Sequence, residues 1–401
     1  MDLDERMAAE LAALEQAGNL RSLNTLLTDG AYLHRGTERF LNLSSNDYLG
    51  LGCTPYAEVN LAQYWATRFP DCPRSPHTGG NPASRLMTGN SPEYDAVEAE
   101  LAALFPGKAA LVLGCGFMAN SGLMPALAQK GDLVLADKLV HASIIEGLMH
   151  TDAAFRRFPH NDTAALERLL AAAAGKHGNT WVIIESLYSM DGDLAPMQQI
   201  LELKDKYGFR LYVDEAHSFG TRGPAGAGYC AELGVADRVD LMVVTFGKAL
   251  SGAGAAVICP PLMRRYLVNR MRPLIFSTAL PPHTLMWVGM VLHEMRTDSL
   301  HAENPALYPG MHTLRARLSE LVQWFSRESG IPAQSQIIPL PCGSNERALA
   351  VAAQGRQEAL WLTAIRHPTV PVGTARIRLS LHAALTPRQL APLVELCRKL
   401  G

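Results

Sequence analysis

A lysine follows an apolar, β-branched run in LMVVTFGKALSG, and an aspartate precedes a histidine by three residues in LYVDEAHSFG. An aldehyde cofactor needs an amine for a Schiff base, and Lys248, next to a glycine at a strand end, can reach into a cleft to provide one. Asp214 and His217 are spaced to contact opposite sides of one planar ring. The acid would hold a pyridinium nitrogen protonated, which makes the ring an electron sink. Polar residues close four of the apolar runs: Asp214 after LYV, Lys248 after VVTFG, Glu185 after WVII and Asp137 after LVLA. Each alone could be a loop residue capping a helix; their coincidence at run ends is what marks a site. A metal held by Asp214, Glu215 and His217 is disfavoured, because the segment lacks the helical i, i+4 pair of such sites.

The turn in ALVLGCGFMAN matches G-x-G-x-x-A between a strand and a helix, with Asp132 and Asp137 about where a ribose-binding acid would fall. That leaves a dinucleotide open. The motif's physical content is a helix N-terminus with backbone N–H groups at Gly116 and Phe117, suited to any phosphate. A tight turn that simply needs glycine would use the same residues.

These residues need a scaffold of alternating elements. Residues 3–17 carry apolar positions at helical spacing on an acidic helix, and FLNLSSNDYLGL reads as a short strand entering a polar turn. From about Pro92 come a helix through EYDAVEAELAALF, a strand at ALVL, a helix from about Phe117 and a strand at LVLAD. Further runs at WVIIE, LYVDE, LMVVTF and AAVI are apolar throughout, as strands covered on both faces must be. The expected fold class is therefore α/β, a mostly parallel, doubly wound sheet whose ligands collect at the carboxyl ends of its strands. Beyond Pro282 a long helix, short strands at IIPL, WLTAI and RIRLSL, and a helix from Pro387 predict a smaller α+β C-terminal domain. The expected division is an N-terminal helix and connector over 1–50, a large α/β domain over 51–285 and the small domain over 286–401.

Hydrophobic residues make up 48% and charged residues 18% of the 401, which suits a packed enzyme-sized body rather than a disordered chain. A net charge of -2 leaves no basic surplus for nucleic acid or an anionic membrane, so an anionic ligand must be held by a local site. The start DLDERMAAE lacks the positive and apolar parts of a secretory signal, and runs such as LMWVGMVL are too short to span a bilayer; a cytoplasmic location is expected. Seven scattered cysteines with no C-x-x-C argue against structural zinc and disulfides.

The segments LNLSSNDYLGL, SRLMTGNSPEYDAVEAELA, GCGFMAN, DKLVHAS, RRFPHND, SLYSMDGDLAP, VDEAHSFGTRGP, VTFGKALS, NRMRPLIFSTALPP and AIRHPTVPVGTARIRLSL follow in order over nearly the whole chain. Together they resemble the α-oxoamine synthase family of fold type I pyridoxal-phosphate (PLP) enzymes. The resemblance implies pyridoxal 5'-phosphate as cofactor, Lys248 as its Schiff-base lysine and Asp214 as partner of the pyridine nitrogen. It places His217 and Ser189 near the ring hydroxyl and His141 against the ring face. Thr245 and the backbone at Cys115, Gly116 and Phe117 would hold the phosphate, joined by Ser277 and Thr278 of the neighbouring subunit in a homodimer. Asn46 and Arg378 would hold the amino-acid carboxylate, a task that suits a guanidinium fork. Arg21 and Arg366 match positions of the cleft and acyl substrate. The implied reaction is a decarboxylative condensation of a small amino acid, L-alanine, with an acyl thioester of coenzyme A or a carrier protein.

Two segments depart from the family's pattern. The turn before Ser84 is TGGNPAS, with Asn81 and Pro82 in place of small residues, and the fixed φ of proline bears on an acyl pocket there. The segment DEAHS, with Glu215 and Ser218, resembles serine palmitoyltransferases and aminoketone autoinducer synthases.

Overall fold

The computed structural model describes residues 1–73, 75 and 79–400; Thr78, which begins the TGGNPAS turn, lies outside the described residues. The chain divides into two compact units, Met1–Thr54 with Met190–Gly192 and Ala316–Gly401, and Pro55–Ser189 with Asp193–Arg315. Its strands in chain order are β1 (Leu27–Asp29), β2 (Tyr32–Arg35), β3 (Glu38–Asn42), β4 (Ala109–Leu113), β5 (Leu133–Asp137), β6 (Ala154–Phe158) and β7 (Thr180–Glu185). They continue as β8 (Arg210–Asp214), β9 (Leu241–Thr245), β10 (Ala255–Cys259), β11 (Ile337–Gly343), β12 (Leu360–Trp361), β13 (Ala364–Ile365) and β14 (Ala375–Ser380).

The larger unit is built on a seven-stranded sheet in the order β4-β10-β9-β8-β7-β5-β6. The pairs from β9 through β8, β7 and β5 to β6 are parallel, and β10 runs antiparallel to both β9 and β4. Every residue of β5, β9 and β10 is buried, which is why these runs hold no alternating polar positions. The helices Gly116–Leu127 and Ala142–Met149 lay Ala119, Leu123, Ile144 and Leu148 onto Val134, Tyr212, Val243 and Val257 of the sheet. The edge strand β6 escapes a search for apolar runs, because in AFRRF only Phe158 is buried.

In the smaller unit β12 pairs in parallel with β3, Leu360 beside Leu41, to complete a four-stranded sheet β1-β2-β3-β12. A second sheet, β11-β14-β13, is antiparallel. The acidic helix Leu3–Gln16 opens with a capping box between Asp2 and Glu5 and buries none of its residues. Met190–Gly192 belongs here through Arg376, which pairs with Asp191, and through Ser335, whose hydroxyl donates to the Gly192 carbonyl at 2.8 Å. Gly192 has φ +69°, and a Cβ there would stand 2.0 Å from the Ile337 oxygen, so only glycine fits.

These units differ from the expected divisions at 50/51 and 285/286. The first fifty residues join the C-terminal region because β3 needs β12 as a partner. Residues 286–315 remain with the larger unit because the helix Pro282–Thr297 packs there: Trp65 donates to the Met286 carbonyl at 2.8 Å, and a Cβ at Gly289 would meet the Trp65 ring at 2.7 Å. No described helix is long and apolar enough to cross a membrane.

Candidate active site

Parallel pairing sets the carboxyl ends of β7, β8 and β9 side by side, with Glu185 opposite Asp214 and Asp214 opposite Val243. Strands in a sheet lie about 4.8 Å apart, so residues at these ends converge. Asp214 is buried; one carboxylate oxygen accepts the Ala216 N–H at 2.9 Å and the other the Asn120 amide at 2.7 Å. Thr245 ends β9, and the half-buried Lys248 three residues on brings its Nζ to 3.5 Å from the Thr245 hydroxyl. His217, in the turn after β8, is buried too.

The helix Gly116–Leu127 starts beside them. Cys115 caps it without a side-chain bond, and a Cβ on Gly116 would lie 2.7 Å from the Thr245 methyl. Glycine thus lets the helix N-terminus, with its outward-facing N–H groups, sit against Thr245. His141 caps the helix Ala142–Met149; its Nδ1 accepts the Ser143 N–H at 3.2 Å and lies 2.6 Å from the Ser143 hydroxyl. Desolvation lowers the His141 pKa below its ordinary value, the Asp214 carboxylate pulls it up by less, and Lys248 adds to the lowering. The structure therefore brings Lys248, Asp214, His141, Thr245 and Gly116 into one neighbourhood.

Ser189 is buried, and its N–H donates to Glu185 Oε2 at 3.2 Å. Glu185 Oε1 is buried with no hydrogen-bond partner among the described residues, and burial, then Asp214, raise the carboxyl pKa well above its ordinary value. Ser277 and Thr278 stand on a separate stretch, where Thr278 pairs with Ser84 in an isolated bridge. The two acids open to a ribose-binding role are both engaged within the fold. Asp132 accepts the N–H groups of Gln129 and Asn179, and Asp137 those of Leu139 and Asn161.

Asp137 also belongs to a clamp around His160. Nδ1 of that ring lies 3.0 Å from Asp137 and Nε2 lies 2.8 Å from Asp193. Burial alone would lower its pKa, but the two carboxylates raise it to about 10. A folded-state pKa above the unfolded one, about 6.5, stabilises the fold fully below that value and loses the contribution as pH rises through about 10. His160→Gln is expected to flatten the thermal midpoint between those pH values; a midpoint with the parent's pH dependence would contradict the clamp.

The substrate residues expected from the sequence lie in the smaller unit. Arg378 on β14 is buried and donates to the Ser380 hydroxyl at 2.7 Å and to the Tyr48 hydroxyl at 3.1 Å. Tyr48 in turn donates to Asn46 Oδ1 at 3.1 Å, so Asn46 and Arg378 form one group. Arg21 reaches the His367 carbonyl and the Thr369 hydroxyl, and Arg366 the Gly18 carbonyl. Desolvation and then the neighbouring Arg21 lower the Arg366 pKa. The residues missed in the sequence are the supports, Asn120, Ser143, Tyr212, Tyr48 and Ser380; apart from Tyr48, which lies in a turn, the available signal was a polar side chain within an apolar helix or strand.

A buried acid for a ring nitrogen, an amine just past the next strand, a glycine cradle at a helix N-terminus and an unsatisfied buried carboxyl oxygen suit pyridoxal phosphate. Fold and donor set define a PLP-dependent transferase of fold type I. The family model for aminotransferase class I and II matches residues 38–396. An 8-amino-7-oxononanoate synthase of Chlorobaculum parvum is 40% identical over 412 aligned residues, covering 100% of both chains. Serine palmitoyltransferase from S. paucimobilis, solved with a PLP–myriocin adduct, superimposes with a TM-score of 0.84 at 25% identity over 100% of this chain and 98% of that one. An 8-amino-7-oxononanoate synthase from Francisella tularensis shares the fold, with a TM-score of 0.69 at 24% identity over 90% of this chain and 97% of that one. The chain belongs to the α-oxoamine synthase family of PLP-dependent acyltransferases.

Proposed function

We propose that this enzyme condenses L-alanine with a pimeloyl thioester, of coenzyme A or of a carrier protein, and releases carbon dioxide and the thiol to give 8-amino-7-oxononanoate for biotin synthesis. The observation that carries this reading is 40% identity over the full length of a relative bearing that name. When bound, the cofactor supplies an aldehyde for the amino group and an electron sink for charge at Cα.

The residues divide the remaining work. Lys248 takes the Cα proton of L-alanine, and later returns a proton to the same carbon once the carboxylate has left. Asp214 holds a proton on the ring nitrogen, His141 covers the ring face, and His217 and Ser189 orient the ring hydroxyl. Thr245 and the backbone of Cys115, Gly116 and Phe117 bind the phosphate, with Ser277 and Thr278 of a second copy completing it in a homodimer. Arg378 and Asn46 orient the alanine carboxylate, and Arg21 and Arg366 bind the acyl substrate. A cytoplasmic site of action fits these small charged substrates.

The DEAHS departure has a local explanation. Glu215 is buried and accepts from the Ser186 hydroxyl at 2.8 Å, from the N–H groups of Tyr229 and Cys230 at 2.9 and 2.7 Å, and from Ser218. Glu215 and Ser218 thus anchor a turn.

The test is thiol release with pimeloyl, palmitoyl and acetyl thioesters, each paired with L-alanine, L-serine or glycine. Preference for pimeloyl with alanine is expected; preference for palmitoyl with serine, or acetyl with glycine, would replace this reading with another activity of the family. Arg378→Lys is expected to lower kcat/KM for L-alanine roughly ten- to hundredfold, mainly through KM, because an ammonium cannot reproduce a bidentate fork.

A further inference from the structure

We propose that Asn120 is a positioning residue that fixes the Asp214 carboxylate and, through Ser143, the tautomer of His141. The inference rests on the reading of Asp214 and His141 as partners of the cofactor ring. Asn120 is buried on the helix Gly116–Leu127, one turn inside the glycine cradle. Its Oδ1 accepts the hydroxyl of Tyr212, which is buried on β8 two residues before Asp214. The Asp214 carboxylate accepts, so the side of the amide that faces it must donate and the amide oxygen turns to the phenol.

Both amide protons are used. One goes to Asp214 Oδ2 at 2.7 Å and the other to the Ser143 hydroxyl at 2.9 Å. Ser143 Oγ, already accepting from Asn120, turns its own proton to His141 Nδ1 at 2.6 Å. The Ser143 N–H reaches the same nitrogen at 3.2 Å. Nδ1 is therefore an acceptor twice over, and a neutral His141 ring carries its proton on Nε2. One buried amide thus orients the group under the ring nitrogen and the group on the ring face, two residues far apart in sequence.

The test uses Asn120→Ala, Ser143→Ala and Tyr212→Phe in the full chain. Nitrogen-15 NMR of His141 without cofactor should show the proton on Nε2 in the parent, and mixed tautomers in Asn120→Ala and Ser143→Ala. With cofactor bound, the pH midpoint of the visible band should shift in Asn120→Ala and stay near the parent's in Ser143→Ala, which leaves the Asp214 bond intact. Exchange of the L-alanine α-proton, measured without thioester, should fall about tenfold in Asn120→Ala, the loss expected of one charge-assisted bond. Tyr212→Phe keeps both Asn120 donors and should show smaller changes of the same sign than Asn120→Ala. An unchanged His141 tautomer with an unchanged band midpoint in Asn120→Ala, or an unchanged His141 tautomer in Ser143→Ala should Asn120→Ala not fold, would overturn the assignment. Failure of the parent to bind pyridoxal phosphate would instead strike the functional reading, and the cofactor-free NMR would still judge the network.

Discussion

Lys248→Ala is expected to lower turnover of L-alanine with an acyl thioester by at least about a thousandfold, since general acid–base catalysis alone contributes about 10²–10⁴ and this side chain also supplies the amine that holds the cofactor. The geometry singles this lysine out. Its Nζ lies 3.5 Å from Thr245 at the end of β9, beside the strand that ends in Asp214, and its charge is felt by both His141 and Glu185. Folding should be unaffected, because the side chain is only half-buried and takes no part in the sheet's core. The check is turnover together with the visible spectrum of protein mixed with pyridoxal phosphate. The parent should show the band of a lysine-bound cofactor that changes on adding L-alanine, and the variant should lack that initial band. Parent-like turnover in the variant would remove Lys248 from the reaction.

Asp214→Asn is expected to reduce turnover about a hundred- to a thousandfold, the range seen when one preorganised electrostatic contact is lost. The amide is nearly isosteric but cannot stabilise a proton on a ring nitrogen. It also meets donors on both sides: the Ala216 N–H and the Asn120 amide each need an acceptor, and an asparagine at 214 has one oxygen for the two. Cofactor binding should persist, because Lys248, Thr245 and the Gly116 turn are untouched. The measurement is kcat beside cofactor affinity. A variant that keeps its kcat would show that no charge is needed at the ring nitrogen.

Lys248, Asp214 and Glu185 were legible because a buried parallel strand tolerates a polar residue only at its end, so a charge closing an apolar run is conspicuous. Gly116 was legible as a turn, and its apposition to Thr245 is what gives that turn a purpose. Asn120 was not legible. It sits in the apolar helix segment GFMANSGLMPAL, and nothing in that pattern says that its face meets β8. His160 was hidden for a related reason: its carboxylates arrive from β5 and from the loop after β7, and only the strand order of the sheet brings them together. Of residues 27–51 only Phe40–Leu51 was read, as a short strand entering a polar turn, so the hairpin Leu27–Asn42 went unseen. Its need for β12 is a long-range pairing that no local pattern carries.

That pairing matters for how the protein is made. During synthesis β1, β2 and β3 leave the ribosome well before β12 and the strands of the second sheet, which belong to the stretch from Ala316 onward. At about 5–20 residues per second, the interval between Thr54 and Ala316 is on the order of tens of seconds. Throughout it the nascent hairpin has an open edge along Leu41 and Asn42, the kind of edge that pairs with other chains. The larger unit can assemble its parallel sheet in that time, because β4 to β10 follow one another without interruption by the smaller unit's strands. The hairpin strands are thus translated well before their native partner, and crowded or fast synthesis should expose this edge.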